Sequence, residues 1–157
     1  MLRRRIRERR EEHPCAVDHS SISQAVIATA HSLADAFSAR LWLIHVAAPD
    51  PEFVGYDAGP QSVRDQQATH LRDDHRILQD EAARLRDAGV DATALLIQGP
   101  TVEKILEEAE RVGADCIVMG SHGHGAVHRA LLGSVSESVL RKAARPVTIV
   151  PHTSASD

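Results

Sequence analysis

Along this chain, short apolar runs alternate with stretches of helical periodicity, and that alternation limits the possible folds more than any other feature. Five runs have strand length: Cys15-Ala-Val-Asp18, Leu41-Trp-Leu-Ile-His-Val46, Val90 to Ile97, Cys116-Ile-Val-Met119 and Val147 to Val150. Between the first two, Ile22, Val26, Ala30, Leu33 and Phe37 recur at helical intervals. Leu71, Leu78, Ala82 and Leu85 form a second stripe, and Val102, Ile105, Leu106, Ala109 and Val112 a third. Ser21 with Gln24, and Ser134 with Glu137, have the spacing of capping boxes, the second opening a helix that runs to about Ala144. Pro100 suits the opening of the third helix, while Gly89 and Gly113 stand where helices two and three end. Residues 48–60 hold Pro49, Pro51, Gly55, Gly59 and Pro60 and read as a long loop. Apolar strands separated by helices imply βαβ units, hence an α/β fold with a five-stranded parallel sheet covered by helices on both faces.

The fourth run leads into Gly120-Ser-His-Gly123, and Gly133-Ser134-Val135-Ser136 follows after nine residues, at the start of a helix. A strand that enters a glycine-rich turn and then a helix N-terminus suits an anion. Glycines admit close approach of the backbone, successive N–H groups form a donor nest, and the helix dipole adds partial positive charge. The expected anion is a nucleotide phosphate. The turn is no Walker A loop, since GxxxxGK[ST] and its lysine are missing, and Gly123-His-Gly125 followed by His128 does not complete GxGxxG.

The pattern Gly-x2-Gly-x9-Gly-Ser after a fourth buried strand resembles the universal stress protein family, in its ATP-binding branch. Cys15-Ala-Val-Asp18 is similar to that family's first strand with its terminal aspartate, and Leu43-Ile-His-Val46 to its second strand. Gly99-Pro100 resembles the turn after strand three, and Pro146-Val-Thr-Ile-Val150 the last strand, so the likeness spans residues 14–151. It implies a doubly wound sheet of order 3-2-1-4-5, with strands one and four side by side and Asp18 and Gly120 facing one crevice. In such sheets ligands sit beyond the carboxyl ends of the strands, where the winding reverses.

The resemblance also implies a binding set. The backbone of Ala16 and Val17 would meet the adenine edge, Asp18 the nucleoside, and Val46 and Met119 would give apolar contact. Gly120, Ser121, His122, Gly123, Gly133, Ser134, Val135 and Ser136 match ribose and phosphate contacts. The implied ligand is ATP or another adenine nucleotide, with Mg2+ or Mn2+ where an ion accompanies it. Read alone, Asp18 is equally a turn or N-cap aspartate, and Ser134 equally a plain cap. Two departures stand out: Glu11-Glu-His-Pro14 replaces apolar residues before Cys15, and His19 follows the aspartate where a small residue is usual.

His122, His124 and His128 crowd one loop, but no cysteine or carboxylate nearby completes a tetrahedral set, so they read as loop histidines rather than zinc ligands. Arg129, Arg141 and Lys142 could add charge near the phosphates; Arg141 and Lys142 equally complement the end of their helix. Cys15 and Cys116 read as inert core thiols. The first twelve residues contain six arginines and three glutamates, which marks residues 1–13 as a charged, solvated tail before a domain at 14–152 and a short tail at 153–157.

At 157 residues with 43% hydrophobic and 25% charged, the composition is that of one soluble globular domain. A formal net charge of -4 argues against general nucleic-acid binding. No apolar run reaches the ~20 residues of a membrane helix, and the N-terminus lacks the apolar core of a signal peptide, so a cytoplasmic protein is expected. No serine or cysteine has a base partner at readable spacing, which specifies no catalysis, and the resemblance implies an ATP-binding stress-response regulator rather than an enzyme. The alternatives are slow ATP hydrolysis or a nucleotide-independent dimeric interaction module. A nucleotide α-hydrolase would need an SGGxDS-like loop where this chain has Asp18-His-Ser-Ser-Ile. The final strand, Val147 to Val150, is uncharged and lies at a sheet edge in the implied order, which favours a homodimer through that strand.

Overall fold

The computed structural model describes residues 12–16, 23–47, 61–121 and 132–151. Its elements run β1 (Glu12–Ala16), α1 (Ser23–Phe37), β2 (Arg40–Ala47), α2 (Gln61–Asp87), β3 (Ala92–Gln98), α3 (Thr101–Arg111), β4 (Ile117–Gly120), α4 (Ser134–Lys142) and β5 (Val147–Val150). All strand pairs are parallel and the spatial order is β3-β2-β1-β4-β5.

The strands' two-residue period divides the core into two layers. Val118 and Val150 join Leu41 and Leu43 of β2 against Val26, Ala30 and Ala34 of α1 and Leu78, Ala82 and Leu85 of α2. Ile117 and Met119 point the other way, onto Ile105 and Ala109 of α3 and Val139 of α4. The helical stripes read from the sequence cover the sheet through these residues; Phe37, read as part of the first stripe, is instead exposed at the end of α1, and Ile22 lies outside the described residues.

Three helices end alike. The residue after the helix, or two after it, takes a left-handed conformation: Ser38 (φ 53), Gly89 (φ 90) and Gly113 (φ 68). The next N–H then reaches back five residues, Ala39 to the Ala34 carbonyl, Val90 to Leu85 and Ala114 to Ala109, at 2.8 to 3.0 Å. This closure satisfies terminal carbonyls and turns the chain directly into the next strand. Gly89 and Gly113 announced it; Ser38 does the same without glycine.

Some boundaries differ from the sequence reading. β1 begins at Glu12, ahead of the run read from Cys15, so Pro14 lies inside the strand and the first residues of the sheet fall within the stretch read as tail. The missing N–H of Pro14 costs little, because β1 meets β4 only at Cys15↔Val118, one residue later. β4 starts at Ile117, which leaves Cys116 half-buried just ahead of it with its Sγ 3.6 Å from Thr148 Oγ1. The capping box at Ser134 does not form. Gly133 is the N-cap, with φ -65 and ψ 151, Ser134 is the first helical residue, and Glu137 pairs with Arg141 instead. The box Ser21–Gln24, with Ser21 outside the described residues, cannot be placed; α1 is described from Ser23.

β5 has one edge against β4 and one without a described neighbour. The N–H of Ile117 donates to the Pro146 carbonyl at 2.9 Å, and that of Ser121 to the Val150 carbonyl at 2.8 Å. Backbone groups alternate sides along a strand, so Pro146, Thr148 and Val150 face β4. Val147 and Ile149 turn their backbone groups to the outer edge.

Candidate functional site at the end of β4

β1 and β4 are neighbours in the centre of the sheet, and helices α1 and α2 lie on one face, α3 and α4 on the other. The winding therefore reverses between β1 and β4, which puts the ligand crevice of such a sheet at their carboxyl ends. Ala16 closes β1 and Gly120 closes β4. Val46 on β2 and Met119 on β4 flank β1 on the α3/α4 face, with Met119 buried and Val46 partly so. The sequence-predicted Val17, Asp18, His122 and Gly123 lie outside the described residues, as do His124, His128 and Arg129.

Three hydrogen bonds gather the rest. Ser121 N–H continues the sheet by donating to Val150. Its carbonyl accepts the N–H of Gly133 at 2.7 Å, which brings the two ends of the glycine-rich segment together. Ser136 Oγ donates to the Gly120 carbonyl at 2.7 Å, tying the first turn of α4 to the last residue of β4. Ser136 is 3% exposed, the only buried polar side chain among the described residues. The sequence reading matched it, with Ser134, to ribose and phosphate contacts; here its hydroxyl proton goes to backbone, and nothing in the one-dimensional pattern distinguishes Ser136 from Ser134.

α4 begins at this junction. The first intrahelical bond is Glu137 N–H to the Gly133 carbonyl at 2.8 Å. The N–H groups of Ser134, Val135 and Ser136 therefore precede the helix's own ladder, and no side chain among the described residues caps them. Ser134 is exposed and Val135 partly packed on the second core layer. Three amides at the positive end of a helix dipole form an acceptor site for an anion. Arg141 and Lys142 are not part of it: both sit in the last turn, with Arg141 on Glu137 at 2.7 Å and Lys142 on Glu103 of α3 at 3.5 Å. No group of three or more His, Cys, Asp or Glu among the described residues could hold a metal ion.

This arrangement is matched outside the chain. The model of the universal stress protein family fits residues 15–151. The chain belongs to the universal stress protein family. A Thermus aquaticus universal stress protein, encoded 3′ of a QAH/OAS sulfhydrylase, is 35% identical over 136 residues, covering 86% of this chain and 94% of that protein. Among solved structures, MJ0577 of Methanocaldococcus jannaschii superposes with a TM-score of 0.75 at 24% identity, over 92% of this chain and 98% of its own, which speaks to the fold. A universal stress protein solved in complex with cAMP gives a TM-score of 0.63 at 25% identity, over 90% of this chain and 97% of its own. This universal stress protein has Gly120 and Gly133 at the two ends of its β4–α4 junction, and no helix among its described residues is long and apolar enough to cross a membrane.

Proposed function

We propose that this universal stress protein is a cytoplasmic regulatory protein that binds an adenine nucleotide, ATP in the first instance, at the carboxyl ends of β1 and β4. The observation that carries the reading is the pinned junction of β4 with α4: Gly133 is drawn onto Ser121, and three helix-terminal amides follow it. The adenine ring would lie against Val46 and Met119 beside the end of β1, with Asp18 at the nucleoside and the phosphates on the glycine series. The cAMP bound by the related structure supports the ligand class. The donor set fits a phosphate chain, since it offers three N–H groups, and the one carboxylate of the first turn, Glu137, is paired with Arg141. A divalent ion, Mg2+ or Mn2+, where one accompanies the nucleotide, would shield the charge of its phosphates. Mass spectrometry of small molecules released by heat from freshly purified protein tests this directly. An adenine nucleotide near one per chain supports the reading, and a ligand without a phosphate contradicts it.

The same protein would act as a homodimer through β5. A two-fold axis at Thr148 sets Val147 of each copy opposite Ile149 of the other, and the outward N–H and C=O groups then make four hydrogen bonds. Leu140 supports that edge. It is 48% exposed on α4 and lies two positions, about 200°, around the helix from Lys142, which reaches α3. Leu140 thus sits on the flank of α4 away from α3.

A further inference from the structure

We propose that Ser136 is a positioning residue of the nucleotide site: its hydroxyl, donated to the Gly120 carbonyl, holds the first turn of α4 over the end of β4 and contacts no phosphate. The inference rests on the nucleotide reading above. Its own basis is the hydrogen-bond geometry around β4. Ile117 and Ser121 direct their backbone groups to β5, so by alternation Val118 and Gly120 direct theirs to β1. The Gly120 carbonyl therefore faces the β1 side of β4 at the carboxyl end of the sheet, where the crevice lies.

Ser136, at the third position of α4, meets this carbonyl at 2.7 Å while 3% exposed. A serine there has two other uses, and the structure takes neither. It does not cap, because Gly133 is the N-cap and no side-chain cap bond forms. Its hydroxyl proton is not offered to a ligand, because a hydroxyl has one proton and the Gly120 carbonyl holds it. The bond instead works beside the Gly133–Ser121 bond of 2.7 Å. One fixes the helix axis onto the sheet and the other fixes the chain entering it, so the amides of Ser134, Val135 and Ser136 are aimed before any ligand arrives. Pre-set donors bind without an ordering cost, and loss of the tether returns that cost to binding.

Two variants and two readouts decide it. In ligand-free protein, Ser136→Ala raises hydrogen exchange at the Gly133 amide about tenfold and leaves the amides of Ile117 and Val139 unchanged. In titrations with ATP, Ser136→Ala weakens binding about tenfold, adenosine without phosphates is unaffected, and Ser136→Thr, which keeps a hydroxyl, restores both readouts. Weaker ATP binding with unchanged exchange at Gly133 means that the hydroxyl touches phosphate directly and overturns the proposal. Failure of Ser136→Thr to restore exchange overturns it as well. If wild-type protein binds no nucleotide, the functional reading falls, and exchange at Gly133 alone still decides whether Ser136 sets the helix.

Discussion

Proline placed along β5 separates the sheet from the dimer, because the two kinds of backbone donor alternate. Val147 presents its N–H to the open edge, and Thr148 presents its own to β4, where the Ile117 carbonyl is its ladder partner. Val147 is the first residue of the strand, follows Pro146, and is close to proline in size, so Val147→Pro suits the fold. In the dimer that substitution removes one donor per copy, two of the four intermolecular hydrogen bonds. At ~0.5–1.5 kcal/mol net for each bond, the interface loses about 2 kcal/mol, a roughly 30-fold rise in dimer dissociation constant. Thr148→Pro acts the other way: it strips the carbonyl of buried Ile117 of its partner and costs the monomer about 1–3 kcal/mol. Sedimentation velocity across a concentration series, with thermal unfolding of each variant, reads both effects. Wild type monomeric at tens of micromolar refutes the edge argument. So does a Val147→Pro protein that dimerises as well as wild type.

Other consequences follow from the packing and the site. Val139→Ala, at a fully buried position beneath α4, lowers stability by about 2 kcal/mol in urea titrations; a loss under about 0.5 kcal/mol would mean that α4 is not seated on the second core layer. Gly113→Ala costs about 1 kcal/mol through backbone strain alone, since a Cβ there meets nothing within 4 Å at φ 68, and Gly113→Asn costs less; an unchanged melting temperature for the alanine variant would contradict the left-handed closure of α3. ATP turnover takes minutes or longer, far from a median enzyme's ~10 per second, and a divalent-dependent rate above about one per second, lost in Ser134→Ala, would make this protein an enzyme.

The helices were legible because burial wrote itself into their period. Val26, Ala30, Leu78, Ala82, Leu85, Ile105 and Ala109 are the residues that the stripes named and that the two core layers bury. Glycines marked the ends of α2 and α3 because the left-handed turn favours them; the end of α1 was hidden, as Ser38 pays the strain without advertising it. Strand starts were harder. Pro14 reads as punctuation, yet a proline beside a ladder that has barely begun removes no bond the sheet uses. At the junction with α4, local pattern misled: Ser134 and Glu137 have the spacing of a capping box, but Gly133 is held on Ser121 and so becomes the cap itself. That bond joins residues far apart in sequence, as does Ser136 to Gly120, and no local rule encodes either. The glycine series, by contrast, was plain in the sequence, and it carried the family.

The amides at the start of α4 are the centre of this account, and proline can delete one without touching the helix. Ser134 occupies the first helical position, where proline is tolerated, and Gly133 already has the extended φ -65 and ψ 151 that a residue before proline requires. Calorimetric titration with ATP is therefore run on wild type, Ser134→Ala and Ser134→Pro, the alanine variant isolating the hydroxyl from the amide. Wild type binds with micromolar-class affinity, about -8 kcal/mol, and Ser134→Pro binds at least about tenfold more weakly than Ser134→Ala while melting at the same temperature. No binding by wild type, or equal affinity for the proline and alanine variants, would contradict the assignment of the phosphates to this helix.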